Sequence, residues 1–220
     1  MPVYCETSLY PLGAFPAEPI NTVTSIIPVV LGALALLFLL RRTDQGYVAY
    51  GLAVLLVLTG LGSIAWHSLR TDLALTVDAL PGVVYFVVLL FFWVYYLGGR
   101  FFGVIPIGLI IAIFVFFRPA SQDEARIVVI SFVLALAAGL LVATWLRKRH
   151  AFKLALAMVG CALVAATLRT LDLSVCDTIP FGTHFFWHIF LAIAAYTGVR
   201  MMVVLRNMAP EKIQNKANAG

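Results

Sequence analysis

Seven apolar stretches divide this chain of 220 residues, at 22–41, 47–69, 73–98, 101–117, 126–146, 152–171 and 183–205. Roughly 17–25 apolar residues carry a helix across the hydrocarbon core of a bilayer, and each stretch supplies that length. The rest of the composition leaves no alternative solvent. Hydrophobic residues make up 63% of the chain and charged residues 11%, whereas soluble domains average about 25% charged. The expected fold is therefore all-α: a polytopic membrane protein with seven transmembrane helices. The fourth stretch carries Pro106 and is the shortest. One seven-helix unit is expected over 1–208, opening with an ordered outer segment at 1–21 and followed by a flexible cytoplasmic tail at 209–220. The first twenty residues contain Glu6 and Glu18 but no Lys or Arg, so they do not read as a cleaved signal peptide.

Charge sets the orientation. One side of the membrane carries Arg41, Arg42, Arg100, Arg147, Lys148, Arg149, Lys153, Arg200, Arg206, Lys212 and Lys216. The other carries Arg70, Arg118, Arg126 and Arg169. The excess of positive charge on cytoplasmic loops places the N-terminus outside and the C-terminus in the cytoplasm. The net charge of +5 is then a topology signal and implies no nucleic-acid partner.

The remaining polar residues gather at one end of the predicted bundle. Ser63 and His67 fall near the outer end of the second helix, Asp78 in the outer turns of the third, Arg169 and Asp172 at the outer end of the sixth, and His184 and His188 in the first turns of the seventh. Ionisable groups are costly in lipid and mark function when they cluster. His184 and His188 are one helical turn apart, so both rings can reach one ion. His67 adds a third imidazole, and three His ligands with an open position describe catalytic zinc. A bis-histidine haem is the competing reading, but it takes its axial ligands from facing helices rather than from one turn. His150 lies in the basic run RKRH and is set aside.

Asp78 suits a general base that passes a proton to a leaving group, or a carboxylate that orients a ligating His. An acid facing a helix dipole is the bland reading. Ser63 shares a face with His67 and can donate to an oxyanion, or it is a small residue at a helix contact. Arg169 and Asp172, three apart, can pair and brace the outer end of the sixth helix, but an interfacial anchor is the preferred reading. Cys5 and Cys176 both fall on the outer side, where disulfides are permitted.

Taken together, Cys5-Glu6, AEPINT (17–22), SIAWH (63–67), DALP (78–81), RTLD (169–172) followed by Cys176, and HFFWH (184–188) resemble the alkaline ceramidases. These belong to a superfamily of seven-helix membrane hydrolases that also includes the progestin and adiponectin receptors. The resemblance runs over nearly the whole chain. It implies zinc on His67, His184 and His188, a site completed by Ser63 and Asp78, and hydrolysis of ceramide to a sphingoid base and a fatty acid. It also implies a bridge between Cys5 and Cys176, and a calcium site in the outer segment. For calcium, Glu6 and Glu18 are present, but Val3, Tyr4 and Ser8 stand where the family has an acid, a Trp and an Asn. The two carboxylates then either bind Ca2+ weakly or cap and tie the segment.

The expected function is zinc-dependent hydrolysis of a lipid amide, with the site near the non-cytoplasmic face. The compact size points to a bacterial inner membrane. The alternative is a receptor of the same superfamily with structural zinc. A retinal protein needs an intramembrane Lys, which the seventh helix lacks. A transporter would show broken helices at the midplane.

Overall fold

The computed structural model describes residues 3–11, 13–42, 46–98, 108 and 122–208, with side chains from 130 onward in the last segment. Every regular element among the described residues is helical. In chain order they are α1 (Pro19–Thr24), α2 (Ile26–Leu40), α3 (Tyr47–Leu69), α4 (Asp72–Gly98), α5 (Gln122–Arg147), α6 (Arg149–Leu171) and α7 (His184–Asn207), with short 3-10 turns at Glu6–Ser8 and Asp172–Ser174. Six segments among the described residues are long and apolar enough to cross a membrane, α1 and α2 together forming the first, Pro19–Leu40. Six of the seven expected spans are accounted for in this way. The fourth, 101–117, apart from residue 108, and the tail, 209–220, lie outside the described residues.

The first span begins three residues earlier than the apolar run suggests. Pro19 takes the first helical position, where its missing N–H costs nothing. The next two N–H groups, of Ile20 and Asn21, donate to the Glu6 carboxylate at 2.6 and 2.9 Å. An anion at a helix N-terminus satisfies donors that the helix itself cannot.

Helix α7 is the most enclosed of the spans. It packs against α2, α3, α4 and α6. Leu52, Leu56, Leu89, Trp93, Met201 and Leu205 belong to the core it shares with them. Large apolar side chains such as Leu34, Leu37, Leu58, Leu61 and Leu80 stay exposed, as expected where the surroundings are lipid. Within the bundle, polar groups find partners, because hydrocarbon offers none. The Trp93 indole donates to Thr144 Oγ1 at 2.9 Å, and the Tyr85 hydroxyl to the Ala195 carbonyl at 2.6 Å.

The two ends of the bundle differ in chemistry. At one end, Lys148 Nζ donates to the Met208 carbonyl at 2.7 Å and Arg147 to the Leu97 carbonyl at 2.8 Å. The end of α3 at Leu69, the start of α7 at His184 and the segment 3–18 meet at the other. There, a disulfide joins Cys5 to Cys176, with the two Cα atoms 5.3 Å apart.

Candidate metal centre

His67 comes from the last turn of α3, His184 opens α7, and His188 follows one turn later. Their ring centroids lie 5.3 Å (67–184), 4.8 Å (67–188) and 4.8 Å (184–188) apart. One nitrogen from each ring falls within 4.8 Å of the other two. All three side chains are buried, at 1%, 1% and 5% exposure.

Their hydrogen bonding leaves nitrogens available. His67 Nδ1 meets the Glu18 carboxylate at 2.5 Å. A carboxylate accepts there from Nδ1–H, so Nε2 keeps its lone pair. Both ring nitrogens of His184 and Nε2 of His188 are buried without a hydrogen-bond partner. Buried polar atoms seldom go unsatisfied. Three in one place, on residues that are good metal ligands, fit a bound cation.

Non-local contacts hold each ring in place. The N–H groups of Ala17 and Glu18 donate to the carbonyls of Ser68 and His67 at 3.1 and 2.9 Å, which lays the outer segment along the end of α3. Glu18 thereby faces His67. Burial alone would raise the Glu18 carboxyl, but hydrogen bonds from His67 and Thr7 and the charge of Arg70 outweigh it and hold the group below the usual carboxylate range. Glu6 goes the other way: burial raises it, against the opposing pull of its two backbone donors.

Asp172 orients the start of α7. Its carboxylate accepts from the N–H groups of Thr183 (2.7 Å), His184 (2.8 Å) and Cys5 (3.0 Å). Gly182 is needed beside it: φ is +68°, and a Cβ there would collide with Asp172 Oδ1. Backbone donors take the Asp172 carboxylate, and among the described residues no ion pair joins it to Arg169. The Arg169 guanidinium lies instead 5.8 Å from the Tyr4 ring centroid and 5.0 Å from that of Trp187.

Ser63 sits 3.4 Å from His188 Nδ1 and 3.0 Å from the Ser25 hydroxyl. Asp78 is half-buried beside Ser63, in the field of the Arg169 guanidinium. Both line a cavity of about 770 Å3. Its polar groups gather at the histidine end, and beyond them it runs between apolar side chains to Trp93 and Leu140. Measured along α4 at ~1.5 Å per residue, Asp78 to Trp93 is roughly 22 Å.

Three residues of the site were not assigned these places from the sequence. Glu18 holds His67, Arg70 holds Glu18 at 3.0 Å, and the Tyr4 ring stacks on His184 with centroids 3.9 Å apart. The acid before Pro19 was visible as a motif, but nothing in the sequence ties position 18 to 67. Glu6 and Glu18, the calcium candidates, each meet donors from the protein: Glu6 two backbone N–H groups, Glu18 the side chains of Thr7, Asn21, His67 and Arg70.

A comparison with curated proteins gives no match. The family model described as Ceramidase matches residues 3–219, nearly the whole chain, and the protein belongs to that family.

Proposed function

We propose that this protein is a zinc-dependent hydrolase that cleaves the amide of a long-chain acyl lipid of the ceramide type, releasing a fatty acid and a sphingoid base. One observation carries the reading: three buried imidazoles converge at the polar end of a deep apolar cavity. An amide with an acyl tail matches that division, with its carbonyl at the histidines and its hydrocarbon among Leu89, Trp93 and Leu140.

His67, His184 and His188 would hold the zinc. Zinc so held lowers the pKa of water to about 7 and polarises a carbonyl. The remaining work falls to the chain's own side chains. Ser63 donates its hydroxyl to the oxygen on which charge develops. Asp78 accepts the proton released from water and passes it to the departing nitrogen, whose protonation lets the C–N bond break. Glu18 keeps His67 in the tautomer that presents Nε2, and Asp172 fixes the first turn of α7 under His184.

The chain lies in the membrane as a seven-helix unit, with its N-terminus and the histidines on the non-cytoplasmic side. The basic groups at the opposite end support that orientation. In a bacterial inner membrane the site then opens near the outer leaflet.

The test is purified protein, metal-loaded and metal-stripped, given a ceramide labelled in its acyl chain. Labelled fatty acid is expected from the loaded protein, and little from the stripped one until zinc is restored. Stoichiometric zinc without release from any acyl amide would favour the receptor reading and overturn this one.

A further inference from the structure

Arg70 occupies an unusual position. It ends α3 in the left-handed region, at φ +52°, a conformation that side chains other than Gly and Asn seldom take. Its N–H caps the helix on the Trp66 carbonyl at 2.9 Å. Its guanidinium lies 4.2 Å from the Trp66 ring centroid and 5.5 Å from that of Tyr4. It also reaches Glu18 Oε1 at 3.0 Å, with the Arg70 side chain 14% exposed and that of Glu18 fully buried.

The oxygens around this contact are already engaged. Glu6 Oε1 and Oε2 accept the N–H groups of Ile20 and Asn21. Glu18 Oε1 accepts the Thr7 hydroxyl at 2.5 Å and forms an ion pair with Arg70 at 3.0 Å, and Oε2 accepts His67 Nδ1 and Asn21 Nδ2, at 2.5 and 3.3 Å. Ser8 turns its hydroxyl to the Cys5 carbonyl at 2.8 Å, and Val3 is exposed and brings no ligand. Asn21 Oδ1 is buried without a donor, but calcium needs six to eight oxygens. A guanidinium on the same carboxylate also repels a second cation. The calcium site that the family implies does not fit these residues.

We infer that the Arg70 guanidinium stands in for a divalent cation in the outer segment, so that the segment is held without calcium and Arg70 is a positioning residue for His67, acting through Glu18. Arg70 pairs with one oxygen of the buried Glu18 carboxylate at 3.0 Å, and the other oxygen accepts from His67 Nδ1 at 2.5 Å. The inference rests on the reading of His67 as a metal ligand, but its test reads binding and stability rather than hydrolysis.

The full chain in detergent, cleared of calcium, is titrated with CaCl2 to about 10 mM, above the ~10⁻³ M of the weakest calcium modules. Calorimetry and thermal unfolding are expected to show no saturable binding and no rise in Tm. Zinc per chain is then measured for Arg70→Ala, Arg70→Met and Arg70→Lys at fixed, limiting free zinc. Ala and Met are expected to lower zinc occupancy about 10-fold, as loss of a partner that orients a ligand does. Lys, which restores the charge but not the fork, is expected to recover a large part. One calcium bound per wild-type chain at submillimolar concentration overturns the inference. So does full zinc occupancy in Arg70→Met while His188→Ala is depleted, a result that leaves the metal assignment standing. If the Ala and Met variants do not fold, the wild-type calcium titration alone decides.

Discussion

A Cβ on Gly62 would come within 2.8 Å of Asp78 Cα and would collide with the Val77 carbonyl. Helix α3 therefore touches the α4 backbone at the point where Ser63 and Asp78 enter the site. The cause is local to α4. Pro81 has no N–H to give the carbonyl four residues before it, and Gly62 lets the neighbouring helix approach that carbonyl.

Gly62→Ala is expected to destabilise the protein by about 1–3 kcal/mol, the usual cost of forcing atoms into a packed contact, and to reduce turnover by separating Ser63 from Asp78. Gly51→Ala is the control, since a Cβ there meets nothing within 4 Å. Thermal unfolding of the two variants in the same detergent should show a lowered Tm for the first and little change for the second.

Removal of His188 should empty the metal centre. Metal analysis is expected to find close to one zinc per wild-type chain and a small fraction of that in His188→Ala. Stripped wild-type protein should regain stability with added zinc, by about 2.7 kcal/mol once free zinc is 100 times its Kd. The variant should show no such gain.

Ser63→Ala separates chemistry from metal binding. The hydroxyl contacts His188 Nδ1, not the nitrogen left without a partner, so at saturating free zinc the zinc content should stay near the wild-type value. Turnover is expected to fall by about 10²–10³, as when an oxyanion donor is lost, with KM changed much less.

Trp93 lines the cavity about four turns along α4 from Asp78 and is held by its hydrogen bond to Thr144. Trp93→Ala should extend the apolar channel and move the preferred acyl chain to longer lengths. A series of ceramides differing only in acyl length, assayed by kcat/KM, is the measurement. An unchanged profile would mean that the acyl chain does not reach α4 at this depth.

The spans were legible because a helix in lipid must be apolar over its whole length, and the runs ending at Leu69 and Gly98 announce themselves. The histidines were legible for the complementary reason: a polar ring in such a run is conspicuous. Glu18 and Asp172 were harder to place. The first bonds a ring on α3 and the second the backbone of residues 5, 183 and 184, and no periodicity encodes contacts between an irregular segment and helix ends. The same limit hid the early start of α1, which depends on Glu6 supplying acceptors from outside the helix.

The bridge between Cys5 and Cys176 also bears on which donors surround the imidazoles. Before oxidation, two thiols stand beside the segment that covers the imidazoles, and thiolate is itself a strong zinc donor. Closing the bridge withdraws that rival pair and fastens Tyr4 over His184. With the bridge closed, neither sulfur is left as a thiolate to compete with the three imidazoles for a cation.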